Sequence, residues 1–175
     1  QNEGTLTSSG SVTASGQVYN LGSGSTITVT SSGSLSNSGQ VDNEGTIDNA
    51  GTWTLSGLGG SLDNTGTVTN SGTLNNSGSL HNDGGTFTNT ASGTVTQSSS
   101  AGLYNLGGTL TNAGTMTGGE YQNVVGGTWN NTGSITGASF VFNSSTWNNA
   151  GTLATDYLQN EGTLTSSGSV TASGQ

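Results

Sequence analysis

Few side chains in this sequence could do acid–base or nucleophilic chemistry. The 175-residue chain has one histidine, His81, nine Asp and Glu residues, and no Cys, Lys or Arg. A Ser-His-Asp arrangement would need His81, which falls at an outward position of the repeat and is expected to be solvated. No glycine-rich phosphate-binding motif stands between a strand and a helix pattern. The sequence therefore predicts a protein that is not an enzyme and has no organic cofactor.

The acidic side chains are the candidates for ion binding. Asp42 and Asp63 occupy equivalent positions of neighbouring repeats, and Glu44 follows one corner later. Carboxylates stacked about 5 Å apart repel each other, and a bound Ca²⁺ would relieve the repulsion. The glycine-aspartate repeat of calcium-binding β-rolls is absent. The sequence favours a protein without a metal, with Asp42, Glu44 and Asp63 as its calcium candidates.

Aromatic side chains collect on the same edge as the acidic ones. All four tyrosines lie there or beside it, with His81, Phe140 and Phe142. One interpretation is a solvated edge that tolerates varied side chains, whose aromatics pack on the next coil. The other is a contact edge for lateral packing of fibres, for a glycan or for a cation.

Threonines suggest a different surface. Thr-Φ-Thr segments, in which Φ is apolar, recur at residues 5–7, 26–28, 67–69, 86–88, 109–111 and 163–165. They would form two parallel threonine rows, the second interrupted by Asp48, Asn130 and Asn148. Such rows resemble the flat threonine arrays of insect-type ice-binding β-solenoids, although Thr is also simply a good outward strand residue. Ice binding is therefore an alternative function.

These side chains are positioned by a repeat of the form Asn-x-Gly-Thr/Ser-Φ-Thr. Thr-Φ-Thr is a minimal strand with Φ on one side, and Asn-x-Gly is typical of a turn. An Asn two positions after an apolar residue recurs every 17 to 23 residues, with Asn143 displaced by one. This period is typical of a solenoid. The recurring residues predict an asparagine ladder within one corner: Asn20, Asn43, Asn64, Asn82, Asn105 and Asn123.

The apolar residues fall into three faces, each of which supplies one residue to every coil. Face A provides the core column Leu6, Ile27, Ile47, Val68, Phe87, Leu110, Trp129 and Trp147, followed by Leu164. Face B provides Val12, Leu35, Trp53, Leu74, Val95, Met116, Ile135, Leu153 and Val170. Face C provides Val18, Val41, Leu62, Leu80, Leu103, Tyr121, Phe140 and Leu158. A second asparagine row follows face A at Asn49, Asn70, Asn89, Asn112, Asn131 and Asn149.

The predicted fold is an all-β, parallel β-solenoid that runs through residues 1–175. It has three short strands per coil, about 20 residues per coil and about eight coils per block. Residues 1–17 and 159–175 are identical. We expect residues 1–158 to be one block of a tandem array and residues 159–175 to begin the next. At about 4.8 Å per coil, one block would rise about 38 Å.

Composition excludes several classes of partner. Without Lys or Arg the chain has nothing to neutralise phosphate, so nucleic acid and anionic membrane surfaces are not expected to bind. No apolar run approaches the roughly 20 residues that span a bilayer, so membrane insertion is not expected. The absence of Lys and Arg also removes trypsin-type cleavage sites, which suits exposure to proteases.

The repeat resembles those of bacterial exported β-helix proteins. The segments that carry the likeness are Asn64–Asn82, Asn105–Thr117 and Asn123–Thr136. They are similar to repeats of filamentous-haemagglutinin-like adhesins of two-partner secretion and of autotransporter passengers. The resemblance implies a right-handed β-helix, an extracellular location on the bacterial surface, and a role as the shaft of a filament or adhesin. Its expected partners are copies of itself along or beside the fibre, with a host or matrix glycan as a further candidate.

Overall fold

The computed structural model describes residues 1–57 and 59–174, and Gln175, the last residue of the repeated segment, lies outside the described residues. The described residues form 24 strands. The strands are β1 (Thr5–Ser8), β2 (Ser11–Ala14), β3 (Val18–Asn20), β4 (Thr26–Val29), β5 (Ser34–Asn37), β6 (Gln40–Asn43), β7 (Thr46–Asn49), β8 (Thr52–Leu55), β9 (Ser61–Asn64), β10 (Thr67–Asn70), β11 (Thr73–Asn76), β12 (Ser79–Asp83), β13 (Thr86–Asn89), β14 (Thr94–Gln97), β15 (Gly102–Leu106), β16 (Thr109–Asn112), β17 (Thr115–Thr117), β18 (Glu120–Val124), β19 (Thr128–Asn131), β20 (Ser134–Asn143), β21 (Thr146–Asn149), β22 (Thr152–Asn160), β23 (Thr163–Ser166) and β24 (Ser169–Ala172).

Every strand pairs in parallel with its equivalent one coil away, which confirms the predicted β-solenoid of about eight turns. Face A is a nine-stranded sheet in the order β1-β4-β7-β10-β13-β16-β19-β21-β23. Face B starts at β2 and face C at β3, and both continue through every third strand as far as β17 and β18. Because each strand is only three to five residues long in these coils, a corner must follow almost at once.

Corners bring successive coils into close contact. The amides of Thr65 and Gly66 both donate to the carbonyl of Asn43 in the coil before, at 2.9 and 3.0 Å. A Cβ atom added to Gly66 would lie 2.1 Å from the carbonyl oxygen of Gly45. The glycine of Asn-x-Gly is thus required at this corner by the approach of two backbones.

The corner between faces B and C disappears in two coils. Strands β20 and β22 are ten and nine residues long and run across it, so that faces B and C merge into one 15-stranded sheet. Their pairing shifts register between Ile135 and Ala138, where Gly137 has a φ of 64°. Residues 134–142 and 152–159 lack the Asn-x-Gly sequence, and a chain without turn residues continues as a strand around a bulge.

Apolar columns fill the interior. Along face A, Ile27, Ile47, Val68, Phe87 and Leu110 are in register and buried. Trp129 and Trp147 continue the column, with ring centroids 4.3 Å apart and ring planes 5° from parallel. Leu6 is in register with Ile27 but 36% exposed, because it lies in the first described coil and has a neighbouring coil on one side only.

The described residues contain no helix long and apolar enough to cross a membrane.

Candidate functional site

The interior of one corner holds a row of nine asparagines. The side-chain amides of the first eight each donate to the Oδ1 of the asparagine in the next coil over 2.7–2.9 Å. The row consists of Asn2, Asn20, Asn43, Asn64, Asn82, Asn105, Asn123, Asn143 and Asn160, and so contains the six predicted ladder residues. Since Asn43 Nδ2 also donates to the carbonyls of Gly45 and Thr67, at 3.1 and 3.2 Å, the backbone fixes which way the amide points.

A second ladder follows face A. Its members are Asn49, Asn70, Asn89, Asn112, Asn131 and Asn149, joined by bonds of 2.7–2.8 Å. The ladder begins at Asn49 because Val29 occupies the same position one coil earlier, and Asn49 Oδ1 has no hydrogen-bond donor. Together the two ladders satisfy most of the polar groups that the narrow interior buries, and each bond holds only while the coils stay in register.

Face A presents a column of nine threonines on its outer side. The register runs through Thr5, Thr26, Thr46, Thr67, Thr86, Thr109, Thr128, Thr146 and Thr163. The second outward column is interrupted at Asp48, Asn130 and Asn148. The outcome is a regular hydroxyl surface one strand wide and nine coils long.

The three calcium candidates already accept hydrogen bonds within the protein. Asp42 and Asp63 are paired across neighbouring strands, and the Nε2 of Gln40 donates to both of them at 2.7 Å. The Nδ1 of His81 lies 2.7 Å from the second oxygen of Asp63. Glu44 turns away and accepts a hydrogen bond from the amide of Gly22 at 3.1 Å. Within residues 1–57 and 59–174, no three carboxylate or histidine groups converge as a metal would require.

Burial raises the pKa of Asp42, and the neighbouring charge of Asp63 raises it further, while the hydrogen bond from Gln40 acts against both. Burial also raises the pKa of Tyr104, to which the charge of Glu120 adds. The group formed by Asp42, Asp63 and Glu44 is therefore a set of like charges, in which the amide of Gln40 and the imidazole of His81 hold the two aspartates by hydrogen bonds. It offers hydrogen bonding more than acid–base chemistry.

Face C differs from its prediction by one residue in the coil of β20. Val141, and not Phe140, pairs with Tyr121 and is buried, so the assignment of Phe140 to the core was wrong. Side chains alternate along a strand, so Phe140 and Phe142 both point outward. The expected displacement of Asn143 was also wrong, because Asn143 stands two positions after Val141 and pairs with Asn123.

Three outward aromatic side chains meet on neighbouring strands. The ring centroids of Phe140 and Phe142 are 6.5 Å apart and their planes differ by 6°. Tyr157, on β22, lies 5.8 Å from Phe140 with a plane difference of 19°. We call these three residues the aromatic patch.

Two features of this edge were not predicted from the sequence. The hydrogen bonds from Gln40 to Asp42 and Asp63 have no signature in the sequence, because they depend on the Gln40 side chain reaching the next coil. The position of Val141 did have a signal, namely the Asn two positions further on, which marks the inward residue in every other coil of face C.

No protein-family model, curated protein or solved structure matches this chain. The resemblance to exported bacterial β-helix repeats thus remains a prediction from the repeat pattern.

Proposed function

We propose that this chain forms the structural shaft of an extracellular bacterial filament or adhesin and has no enzymatic activity. The observation that carries the proposal is the unbroken register of face A across nine strands. Every coil is hydrogen-bonded to its neighbours along the backbone and through the first asparagine ladder, and the six coils from Asn49 to Asn149 are joined by the second ladder as well. Bending or shearing such a shaft must strain many parallel hydrogen bonds together, which makes the rod stiff.

Surface composition supports an exposed location. The chain has no trypsin-type cleavage site and a net charge of −9. The duplicated segments support copies of the chain as partners, since residues 1–17 and 159–175 form equivalent strands, β1 with β2 and β23 with β24. A shaft built of such blocks would repeat about every 38 Å along its axis.

Electron microscopy of intact source cells tests the shaft role. Antibodies raised against the purified chain should decorate filaments on the cell surface, and antibodies absorbed beforehand with the chain serve as control. Averaged cryo-images of those filaments should show an axial repeat near 38 Å. Label confined to the cell interior would contradict the proposal, as would surface label without filaments.

A second candidate function, ice binding, is favoured by the threonine column of face A. Nine threonines stand in register on the outer side of face A, one in each coil, and such a regular array is suited to ordering water. Thermal hysteresis of the purified chain tests this function. The variant Thr86→Tyr, at an exposed position of the threonine column, should abolish hysteresis. Thr96 is equally exposed but lies on face B, so Thr96→Tyr is the control and should leave hysteresis unchanged. A wild-type chain without hysteresis would dismiss the candidate.

A further inference from the structure

Aromatic side chains are not required at the positions of the aromatic patch for a coil to pair in register. At the position of Phe140, other coils carry Gln40, Ser61, Ser79 and Gly102, and all of them fold in register. At the position of Phe142 they carry charged or polar side chains or a tyrosine. Tyr157 is 48% exposed, and Phe140 and Phe142 are half-buried. Apolar rings are thus held at positions where small or polar residues suffice.

The backbone beneath the patch is also irregular. Phe140 and Phe142 follow the bulge at Gly137, and Tyr157 lies on β22, which runs through the missing corner. Bulges bend a strand and re-aim its side chains, and they are frequent beside binding sites. Here the bulge lies on the strand that carries Phe140 and Phe142.

Hydrogen-bonding side chains border the rings on both sides. On β18, Glu120 is in register with Phe140 and Gln122 with Phe142. On β22, Gln159 is in register with Phe142. Near-parallel rings framed by amides and a carboxylate match the two chemistries of a sugar, whose C–H face is apolar and whose rim consists of hydroxyls.

Charge decides among the partners that could cover the patch. With a net charge of −9 and no Lys or Arg, a second copy of the chain offers Glu120 no opposite charge, and a copy seated face C to face C would bring carboxylates against carboxylates. Nucleic acids and anionic polysaccharides meet the same repulsion. A neutral polysaccharide does not, and its hydroxyls can both donate to Glu120 and exchange hydrogen bonds with Gln122 and Gln159.

We propose that Phe140, Phe142 and Tyr157 form a binding platform for a neutral polysaccharide, with Glu120, Gln122 and Gln159 as its hydrogen-bonding border. The platform is independent of the shaft role, because the coils fold without these rings. It would attach the surface of the rod to matrix or cell-wall glycan at a fixed place along its length.

Affinity electrophoresis of the purified chain in gels containing soluble neutral polysaccharides (hydroxyethylcellulose, xyloglucan, mannan or dextran) tests the platform. Wild-type chain should be retarded by at least one of them. The variants Phe140→Ser and Phe142→Gln copy residues that other coils carry at these positions. Each variant should raise the dissociation constant for the polysaccharide about tenfold or more, because it loses one ring that stacks on the sugar. Tyr19→Gln, an isolated change on the same face, is the matched control and should bind as wild type.

Melting curves of every variant establish that the solenoid is intact, and sedimentation measures self-association in parallel. Retardation that both patch variants lose and Tyr19→Gln keeps supports the platform. Three outcomes overturn it: no retardation by any neutral polysaccharide, retardation unchanged in the triple variant with Tyr157→Gln, or a patch-dependent dimer without glycan binding. None of these three outcomes affects whether filaments are seen by electron microscopy. Failure of the platform is therefore distinguishable from failure of the shaft role.

Discussion

An asparagine amide in this solenoid does more than close a turn. Asn82 accepts from Asn64 and donates to Asn105, Gly85 and Thr109, so one side chain joins three coils. It is fully buried, where unpaired polar groups are expensive. Its replacement therefore leaves several groups without partners.

We predict that Asn82→Ala lowers the free energy of unfolding by about 3 kcal/mol, because an amide oxygen and two carbonyls each lose a buried donor. Asn75→Ala is the matched control, since Asn75 lies on the outer side of β11, and its effect should stay below about 0.5 kcal/mol. Urea unfolding followed by circular dichroism measures both. Equal effects would show that the ladder contributes no stability of its own.

Tyr121 provides a second test at a single residue. Its hydroxyl is buried and has no hydrogen-bond partner among residues 1–57 and 59–174, and burial raises its pKa. The folded chain then keeps the phenol proton that the unfolded chain loses near pH 10, so stability falls as pH rises past that value. The chain has no Lys or Cys, so tyrosines are its only side chains whose ordinary pKa lies near 10.

We expect Tyr121→Phe to match or exceed wild-type stability at pH 8 and to lose less of it at pH 11. Melting temperatures at the two pH values provide the measurement. If wild type and variant lose stability in parallel, the alkaline transition arises from the other tyrosines.

At the scale of the element, the corner is the unit that limits substitution. Gly66 sits where the backbones of two coils meet, whereas a Cβ at Gly24, in the turn before β4, would have no atom within 4 Å. The same residue type therefore carries different constraints at two turns.

We predict that Gly66→Ala costs about 1–3 kcal/mol, as forced overpacking does elsewhere, because the coils must separate to admit a methyl group. Gly24→Ala should be neutral or slightly stabilising, since it only restricts the unfolded chain. Thermal unfolding of the two variants provides the comparison, and a tolerated Gly66→Ala would mean that the corner can relax.

The strands show how far the sequence determines the elements. Period and alternation place Ile47, Val68 and Phe87 in one column, because both are properties of residue spacing. They fail at residues 139–143, where Ser-Phe-Val-Phe-Asn offers apolar side chains on both sides of one strand. There a slip of one residue exchanges the two faces, and the fixed distance to Asn143 settles the register. The merging of faces B and C could not be predicted, because absent turn residues do not say how the chain bends instead.

The candidate sites divide in the same way. The threonine column and the asparagine ladders follow from position in the repeat alone, so spacing predicts them. The bridge from Gln40 to two carboxylates and the geometry of the aromatic patch depend on rotamers and on a local bulge. Neither leaves a mark on the periodicity.

At the scale of the whole molecule, charge is unbalanced. The chain has nine Asp and Glu side chains and no Lys or Arg to balance them. Burial raises the pKa of Asp42, and the charge of Asp63 raises it further. A carboxyl whose pKa is higher in the folded state binds its proton there first, so folding gains stability as pH falls from neutrality toward 3.8.

We therefore predict that the melting temperature rises by a few degrees between pH 7 and pH 4, the reverse of ordinary acid denaturation. Added salt at pH 7 should raise it in the same sense by screening the repulsion. Differential scanning calorimetry between pH 7 and pH 4 measures the melting temperature. A melting temperature that falls on acidification would show that repulsion between carboxylates does not limit stability.

The two ladders also give the solenoid a direction along its axis. Along each row, the Nδ2–H of one asparagine donates a hydrogen bond to the Oδ1 of the asparagine in the following coil. The earlier end of a row therefore presents an amide oxygen, and the later end presents an N–H group. Reversing one row midway would leave two oxygens or two N–H groups facing each other in the interior, at a cost of about 1–3 kcal/mol for each orphaned group. If such rods joined end to end, the row that runs from Asn2 to Asn160 would continue only from the last coil of one rod to the first coil of the next, so the proposed filament would have one direction along its whole length.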